Sequence, residues 1–188
     1  MGDLLQGKRG LVMGVANDRS IAWGIARALA AEGAELAFTY QGEAFGKRVE
    51  PLAASVGSDL LVDVDVTDDA SLDAAFAAIT ERWGRLDFVI HAIAFSSKNE
   101  LTGRFMNTSR ANFKHSLEIS CYSLIEVARR AHPLMSAGGS LITLTYGGSN
   151  RVTPFYNVMG VAKAAFESTN RYLARDLGPK GVRCNLVA

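Results

Sequence analysis

Short apolar runs alternate with longer amphipathic stretches along most of this chain. Six runs predict strands: Arg9–Gly14 (RGLVMG), Glu35–Tyr40 (ELAFTY), Asp59–Val66 (DLLVDVDV), Leu86–Ile93 (LDFVIHAI), Ser140–Thr145 (SLITLT) and Gly181–Val187 (GVRCNLV). Their length and near-continuous apolar character suit strands covered on both faces. Helices are predicted between them. Ile21–Glu32 is alanine-rich and stops at Gly33, a good helix-ending residue. Glu43–Val56 is weaker and is expected to be interrupted at Pro51. Asp69–Trp83 places Leu72, Phe76, Ile79 and Trp83 on one face. Ala94–Thr108 reads as irregular, Ala111–Ala131 as one long helix ended by Pro133, and Phe155–Asp176 as another.

Such β/α alternation predicts a Rossmann-type doubly wound parallel sheet with helices on both faces, in a single α/β domain over residues 1–188. The chain stops at Ala188, in or just after the sixth strand. The expectation is that a C-terminal portion is missing.

In such a sheet ligands sit beyond the strand C-termini, where strand order reverses. The first strand runs into Gly14-Val-Ala-Asn-Asp-Arg-Ser20-Ile21-Ala-Trp-Gly24. Gly14 would permit a tight turn, Ser20 would cap the helix, and the helix N-terminus would favour a pyrophosphate. Gly24 would let helix and strand pack closely. The loop is longer than G-x-G-x-x-G, so a simple capped strand–helix connection competes with this reading. Asp65, at the end of the third strand, could accept a hydrogen bond from an adenine amino group, and Val66 could wall the ring. The second strand ends in Thr39-Tyr40-Gln41, with no acid to read a ribose 2′-hydroxyl and no arginine for a 2′-phosphate. These residues therefore do not separate NADH from NADPH.

The fifth strand and the helix after it carry Tyr146, Tyr156 and Lys163. Tyrosine can serve as a proton or hydrogen-bond donor if a nearby cation lowers its pKa or orients the cofactor ribose. Seven residues are two helical turns, so Tyr156 and Lys163 would share a helix face about 10 Å apart along the axis. Ordinary short-chain dehydrogenases use Tyr-x3-Lys; here Met159 stands where that tyrosine would be, and Tyr146 where their serine would be. The fourth strand ends His91-Ala-Ile-Ala94 rather than Asn-Asn-Ala-Gly.

These departures resemble the enoyl-acyl-carrier-protein reductase branch of that superfamily. The resemblance covers nearly the whole chain: the Gly14…Ser20-Ile21-Ala-Trp-Gly24 turn, Phe38-Thr-Tyr-Gln41, Asp65-Val66, Tyr156-Asn-Val-Met-Gly-Val-Ala-Lys163 and Gly178-Pro-Lys-Gly-Val-Arg-Cys-Asn185. It implies hydride transfer from NADH, with NADPH disfavoured, to the β-carbon of a trans-2-enoyl thioester on acyl carrier protein. Tyr156 would bond the thioester oxygen, Lys163 would hold the nicotinamide ribose, and Tyr146 would line the acyl pocket. The implied cofactor-facing set is Gly14, Ser20, Ile21, Gln41, Asp65, Val66, Ala92 and Lys163. Ala94 departs from the glycine of many members, and its methyl group would narrow the pocket. The long helices would build a homotetramer. Two alternatives compete. An alcohol or ketone dehydrogenase would need Tyr-x3-Lys. A non-catalytic dinucleotide sensor would not need both Tyr156 and Lys163.

Composition narrows the setting. A net charge of +1 offers no electrostatic footprint for nucleic acid or a membrane surface. No run approaches the ~20 apolar residues of a membrane span, and the N-terminus lacks a signal-peptide pattern. Cys121 and Cys184 form no metal or redox motif and are expected to be buried free thiols. His91, His115 and His132 lack metal spacing and are expected in the core or on the surface. Together these point to the cytoplasm.

Overall fold

The computed structural model describes residues 2–188. Six strands form one fully parallel sheet: β1 (Arg9–Met13), β2 (Glu35–Tyr40), β3 (Leu60–Asp63), β4 (Phe88–His91), β5 (Gly139–Leu144) and β6 (Val182–Val187). Their order is β3-β2-β1-β4-β5-β6, so the chain reverses direction across the sheet between β1 and β4. Beyond Met13 and His91 the connections diverge and leave a crevice, the usual ligand position of a doubly wound fold.

The two sheet faces bury separate cores. Helices α1 (Ile21–Ala31) and α2 (Glu43–Ser55) pack Trp23, Ala26 and Val49 against Val12, Leu36 and Phe38. On the other face α3 (Asp69–Trp83), α6 (Ser123–Ala131) and α7 (Val158–Leu177) cover Leu11, Met13, Val89 and Leu141. Alternating side chains of one strand thus enter opposite cores, as the period of two requires. The coverage is uneven. Along β6, Val182 and Cys184 are buried while Arg183 and Asn185 are exposed, so one face of that edge carries no helix among the described residues.

Three predicted elements differ. Pro51 does not interrupt α2. It sits near the helix end on the exposed side, where water can satisfy the Lys47 carbonyl that its missing N–H leaves unpaired. The segment expected to be irregular contains a single-turn helix, α4 (Lys98–Leu101), and a 3-10 turn at Phe105–Asn107. The helix expected over Ala111–Ala131 is divided into α5 (Arg110–Leu117) and α6 by a π-helical turn, Glu118–Tyr122. That wider turn resets the side chains entering the crevice. Both cysteines are buried free thiols, and burial pushes the Cys184 pKa up to about 11. No helix among the described residues is long and apolar enough to cross a membrane.

Candidate active site

A cavity of about 530 Å³ lies beyond the C-terminal ends of β1 to β4. Of the cofactor-facing residues named from sequence, Gly14, Gln41, Asp65, Val66 and Ala92 line it, and so does Ala94. Gly14 has φ +100°, and a Cβ there would lie 2.1 Å from the Ala92 carbonyl oxygen. Only glycine therefore lets the β1 turn pass the end of β4 this closely.

Ser20 and Ile21 are not part of the lining. Ile21, the first residue of α1, is 70% exposed. Ser20 occupies the N-cap position of α1, but its side chain does not cap the helix as expected. Its Oγ turns back and accepts the N–H groups of Ala16 and Asn17, both at 3.0 Å. Those donors, presented by the turn, outcompete the helix N–H groups. The first turn of α1 is left without a side-chain cap, so its partial positive charge stays available to an anion. Gly24 is also corrected: a Cβ there would meet nothing within 4 Å. Ala22, Trp23 and Ala26 make the helix–sheet contact instead.

Asp65 and Gln41 meet across the cavity wall, Gln41 Nε2 donating to Asp65 Oδ2 at 2.9 Å. Asp65 also accepts the Thr67 hydroxyl at 2.7 Å and the Thr67 N–H at 2.9 Å. The Thr67 hydroxyl, then its N–H, hold the carboxyl below the usual range, with Gln41 adding to them. An ionised acceptor thus stands in the cavity lining.

The second cluster surrounds the end of β5. Lys163, only 7% exposed, donates from Nζ to the Leu144 carbonyl at 2.7 Å, and its Nζ stands 4.7 Å from the Phe166 ring centre. Burial lowers its pKa. Tyr156 is not on the helix. It lies two residues before α7, between Phe155 at φ 61° and Asn157 at φ 39°. The expected two-turn helical spacing to Lys163 therefore does not apply. Folding of the preceding segment onto the β5 end places the ring instead: the Tyr156 and Tyr146 ring centres are 4.9 Å apart, edge to face. Gly148 makes this possible, because a Cβ there would lie 2.5 Å from Tyr156 Cδ1. Gly160 likewise admits the Gly148 carbonyl. The expected lowering of a tyrosine pKa by a cation is not found. Burial, and then Tyr146, raise the Tyr156 pKa, so the phenol is a neutral hydrogen-bond donor. Tyr146 is half-exposed.

Beneath Lys163 lies His91, fully buried. Its Nε2 is 2.9 Å from Ser123 Oγ, its Nδ1 is 3.4 Å from Thr143 Oγ1, and its ring packs on Phe166. Burial, and then the Lys163 charge, lower its pKa to about 3, so it is neutral. It belongs to the core, one of the two places expected for it.

Several residues not singled out from sequence tie the clusters together. Ser120 Oγ accepts the Phe95 N–H at 2.9 Å and lies 3.8 Å from Met159 Sδ, linking the cavity rim to α7. Asn157 Nδ2 donates to the Glu100 and Leu101 carbonyls at 3.2 and 3.1 Å. It thereby holds the segment after β4 against the tyrosine turn. Ile119 and His115 line the cavity. The sequence signal for Asn157 was faint: asparagine tolerates φ > 0, but nothing local demanded it. Among the described residues no three His, Cys, Asp or Glu side chains are grouped to hold a metal ion.

Comparison with known proteins places the chain in a family. A family model described as enoyl-(acyl carrier protein) reductase matches residues 14–188. A Rhizobium meliloti enoyl-[acyl-carrier-protein] reductase [NADH] is 63% identical over all of this chain and 70% of its own length. An enoyl-acyl-carrier-protein reductase from Anaplasma phagocytophilum, solved with NAD, superposes with TM-score 0.98 at 54% identity, covering 100% of this chain and 72% of that one. A Bacillus cereus relative solved with NADP+ and an indole naphthyridinone gives TM-score 0.97 at 48% identity, covering 99% and 73%. With its parallel sheet, its β1–β4 crevice and this agreement along its length, the chain belongs to the enoyl-(acyl carrier protein) reductase family.

Proposed function

We propose that this chain reduces the trans-2 double bond of enoyl thioesters carried on acyl carrier protein, with NADH as reductant, and that residues 1–188 act as one dinucleotide-binding and catalytic domain. The residues fit a dinucleotide. Gly14 lets the β1 turn pass close to the end of β4 at the cavity wall, the uncapped end of α1 attracts a pyrophosphate, and Asp65 offers an ionised acceptor to adenine. When bound, the reduced nicotinamide supplies a hydride to the β-carbon.

A solvent proton added at the α-carbon completes the reduction, and the chain's own groups orient and stabilise the reacting atoms. The neutral Tyr156 hydroxyl donates to the thioester oxygen, where negative charge gathers as the double bond is reduced; a donor aimed at developing charge speeds the step. Lys163 has three N–H donors, one engaged by Leu144, and the others are available to ribose hydroxyls. Tyr146, edge-on to Tyr156, walls the acyl side. The observation that carries this reading is the convergence of a buried ammonium and a protonated phenol on the end of one strand, β5.

The test is NADH oxidation with crotonyl thioester beside acetoacetyl thioester. Consumption only with the crotonyl substrate is expected. Reduction of the ketone alone would replace the reading by an alcohol or ketone dehydrogenase, and NADH binding without any turnover would favour a sensor. The reading also carries a homotetramer and a cytoplasmic location. The exposed Phe113, Tyr122 and Tyr172 along α5, the π turn and α7 support the first, and light scattering on the purified chain checks it.

A further inference from the structure

The choice between NADH and NADPH depends on what stands at the ribose end of the crevice, and the end of β2 carries no acid to make it. The fold brings Asp63 of the neighbouring strand to the turn after β2, beside the cavity rim rather than in its lining. Parallel pairing sets Tyr40 beside Asp63, and Asp63 Oδ1 accepts the Gly42 N–H at 2.7 Å. Gly42 is the N-cap residue of α2, next to the cavity-lining Gln41. A Cβ on Gly42 would meet nothing within 4 Å, so the turn is open on its outer side.

The charges facing this turn are Asp63, Asp65 held by Gln41 and Thr67, and Glu43 paired with Lys47 at 2.6 Å. Arg48 lies over the Phe45 ring, and His115 faces Asp65 from α5. A 2′-phosphate would seek the helix N-terminus of α2, whose nearest donor, the Gly42 N–H, already serves a carboxylate. It would also meet like charge from Asp63. A 2′-hydroxyl, by contrast, can donate to a carboxylate.

Resting on the cofactor assignment above, we propose that Asp63 is the specificity residue by which this chain rejects the 2′-phosphate of NADPH: an acid supplied by β3 that does the work usually given to one ending β2. Its role is electrostatic, so raising ionic strength narrows the gap between the two cofactors.

The test measures NADH and NADPH dissociation constants by fluorescence titration of the full chain, together with turnover, for wild type, Asp63→Asn, Asp63→Ala and the control Glu43→Gln. Asp63→Asn keeps an acceptor for Gly42 and removes only the charge, so it preserves the turn; thermal melting verifies this. The expected result is NADPH binding about tenfold tighter in Asp63→Asn and tighter still in Asp63→Ala, NADH binding within about threefold of wild type, and little change in Glu43→Gln. Wild type that binds NADH while both Asp63 variants leave the NADH-to-NADPH ratio unaltered would overturn the proposal alone. Wild type that binds neither cofactor would overturn the cofactor assignment and this proposal together.

Discussion

The two ends of the crevice are built by different means. At the β2–β3 end the groups come from the tips of adjacent strands and satisfy one another: Gln41 on Asp65, Thr67 on Asp65, Gly42 on Asp63. At the tyrosine end each group depends on a distant segment. Lys163 is fixed by the Leu144 carbonyl, Tyr156 by the glycine backbone after β5, and Asn157 by the carbonyls of α4. The β2–β3 end is therefore a hydrogen-bonded cluster that parallel strands make almost automatically. The tyrosine end is an assembly whose accuracy rests on packing between three chain segments. Substitutions at the first should alter affinity and selectivity, and substitutions at the second should alter turnover, with Lys163 alone affecting both.

The sharpest check on this contrast pairs Lys163→Ala with Tyr156→Phe. Each should lower turnover by about a hundredfold or more, the order seen on removing a donor aimed at transition-state charge. Lys163→Ala should also weaken NADH binding in a fluorescence titration, whereas Tyr156→Phe should leave it unchanged. Unaltered kinetics in both would remove the site assignment.

Next in size is Gly14→Ala. Both the φ of +100° and the 2.1 Å approach to the Ala92 carbonyl oppose a methyl group there. The variant should lose about 2 kcal/mol of stability in denaturant titration and bind NADH poorly. An unchanged unfolding midpoint would show that β1 and β4 can part at the switch point without cost.

A third prediction concerns pH. His91 has its folded pKa depressed to about 3, against 6.5 for the unfolded chain, so between these values the unfolded state binds the extra proton. Stability is fully present above pH 6.5 and declines as pH falls, at no more than about 1.4 kcal/mol per pH unit from this residue. Urea titrations of wild type and His91→Gln across that window should show a flatter decline in the variant.

The smallest effect separates backbone strain from anchoring. Asn157→Asp keeps a residue that tolerates φ > 0 but removes the amide donors. Asn157→Gly relieves the strain and also removes them. If the link to α4 positions Tyr156, both should slow turnover by about five- to tenfold, the worth of one or two hydrogen bonds, with NADH affinity intact. Normal turnover in Asn157→Asp would show that the tyrosine turn holds itself.

Much of the fold was legible in the sequence because its signals are local. Asp69–Trp83 has the boundaries predicted from helical periodicity, and all six apolar runs contain strands. Gln41, Asp65 and Val66 could be named because strand ends in this topology face the crevice whatever else the chain does. Predictions failed where a distant partner overrode local preference. The Ser20 hydroxyl was taken by the turn before it, and Tyr156 was drawn out of the helical pattern by Gly148 and the β5 end. The π turn in the long helix also escaped notice, since an added residue shifts the helical phase without breaking the apolar pattern.

The sequence by itself determined the succession of strands and helices along the chain, the parallel α/β class and several residues that line the cavity, because burial period and glycine placement act over a few residues. Only the tertiary structure decided that Asp63 meets the turn after β2 and that phenol and ammonium gather at the end of β5. Those outcomes depend on the register between parallel strands, which sets Tyr40 beside Asp63, and on contacts spanning more than fifty residues, as between Asn157 and Glu100. A residue's local pattern records whether it is buried, and says nothing about which distant group it will meet.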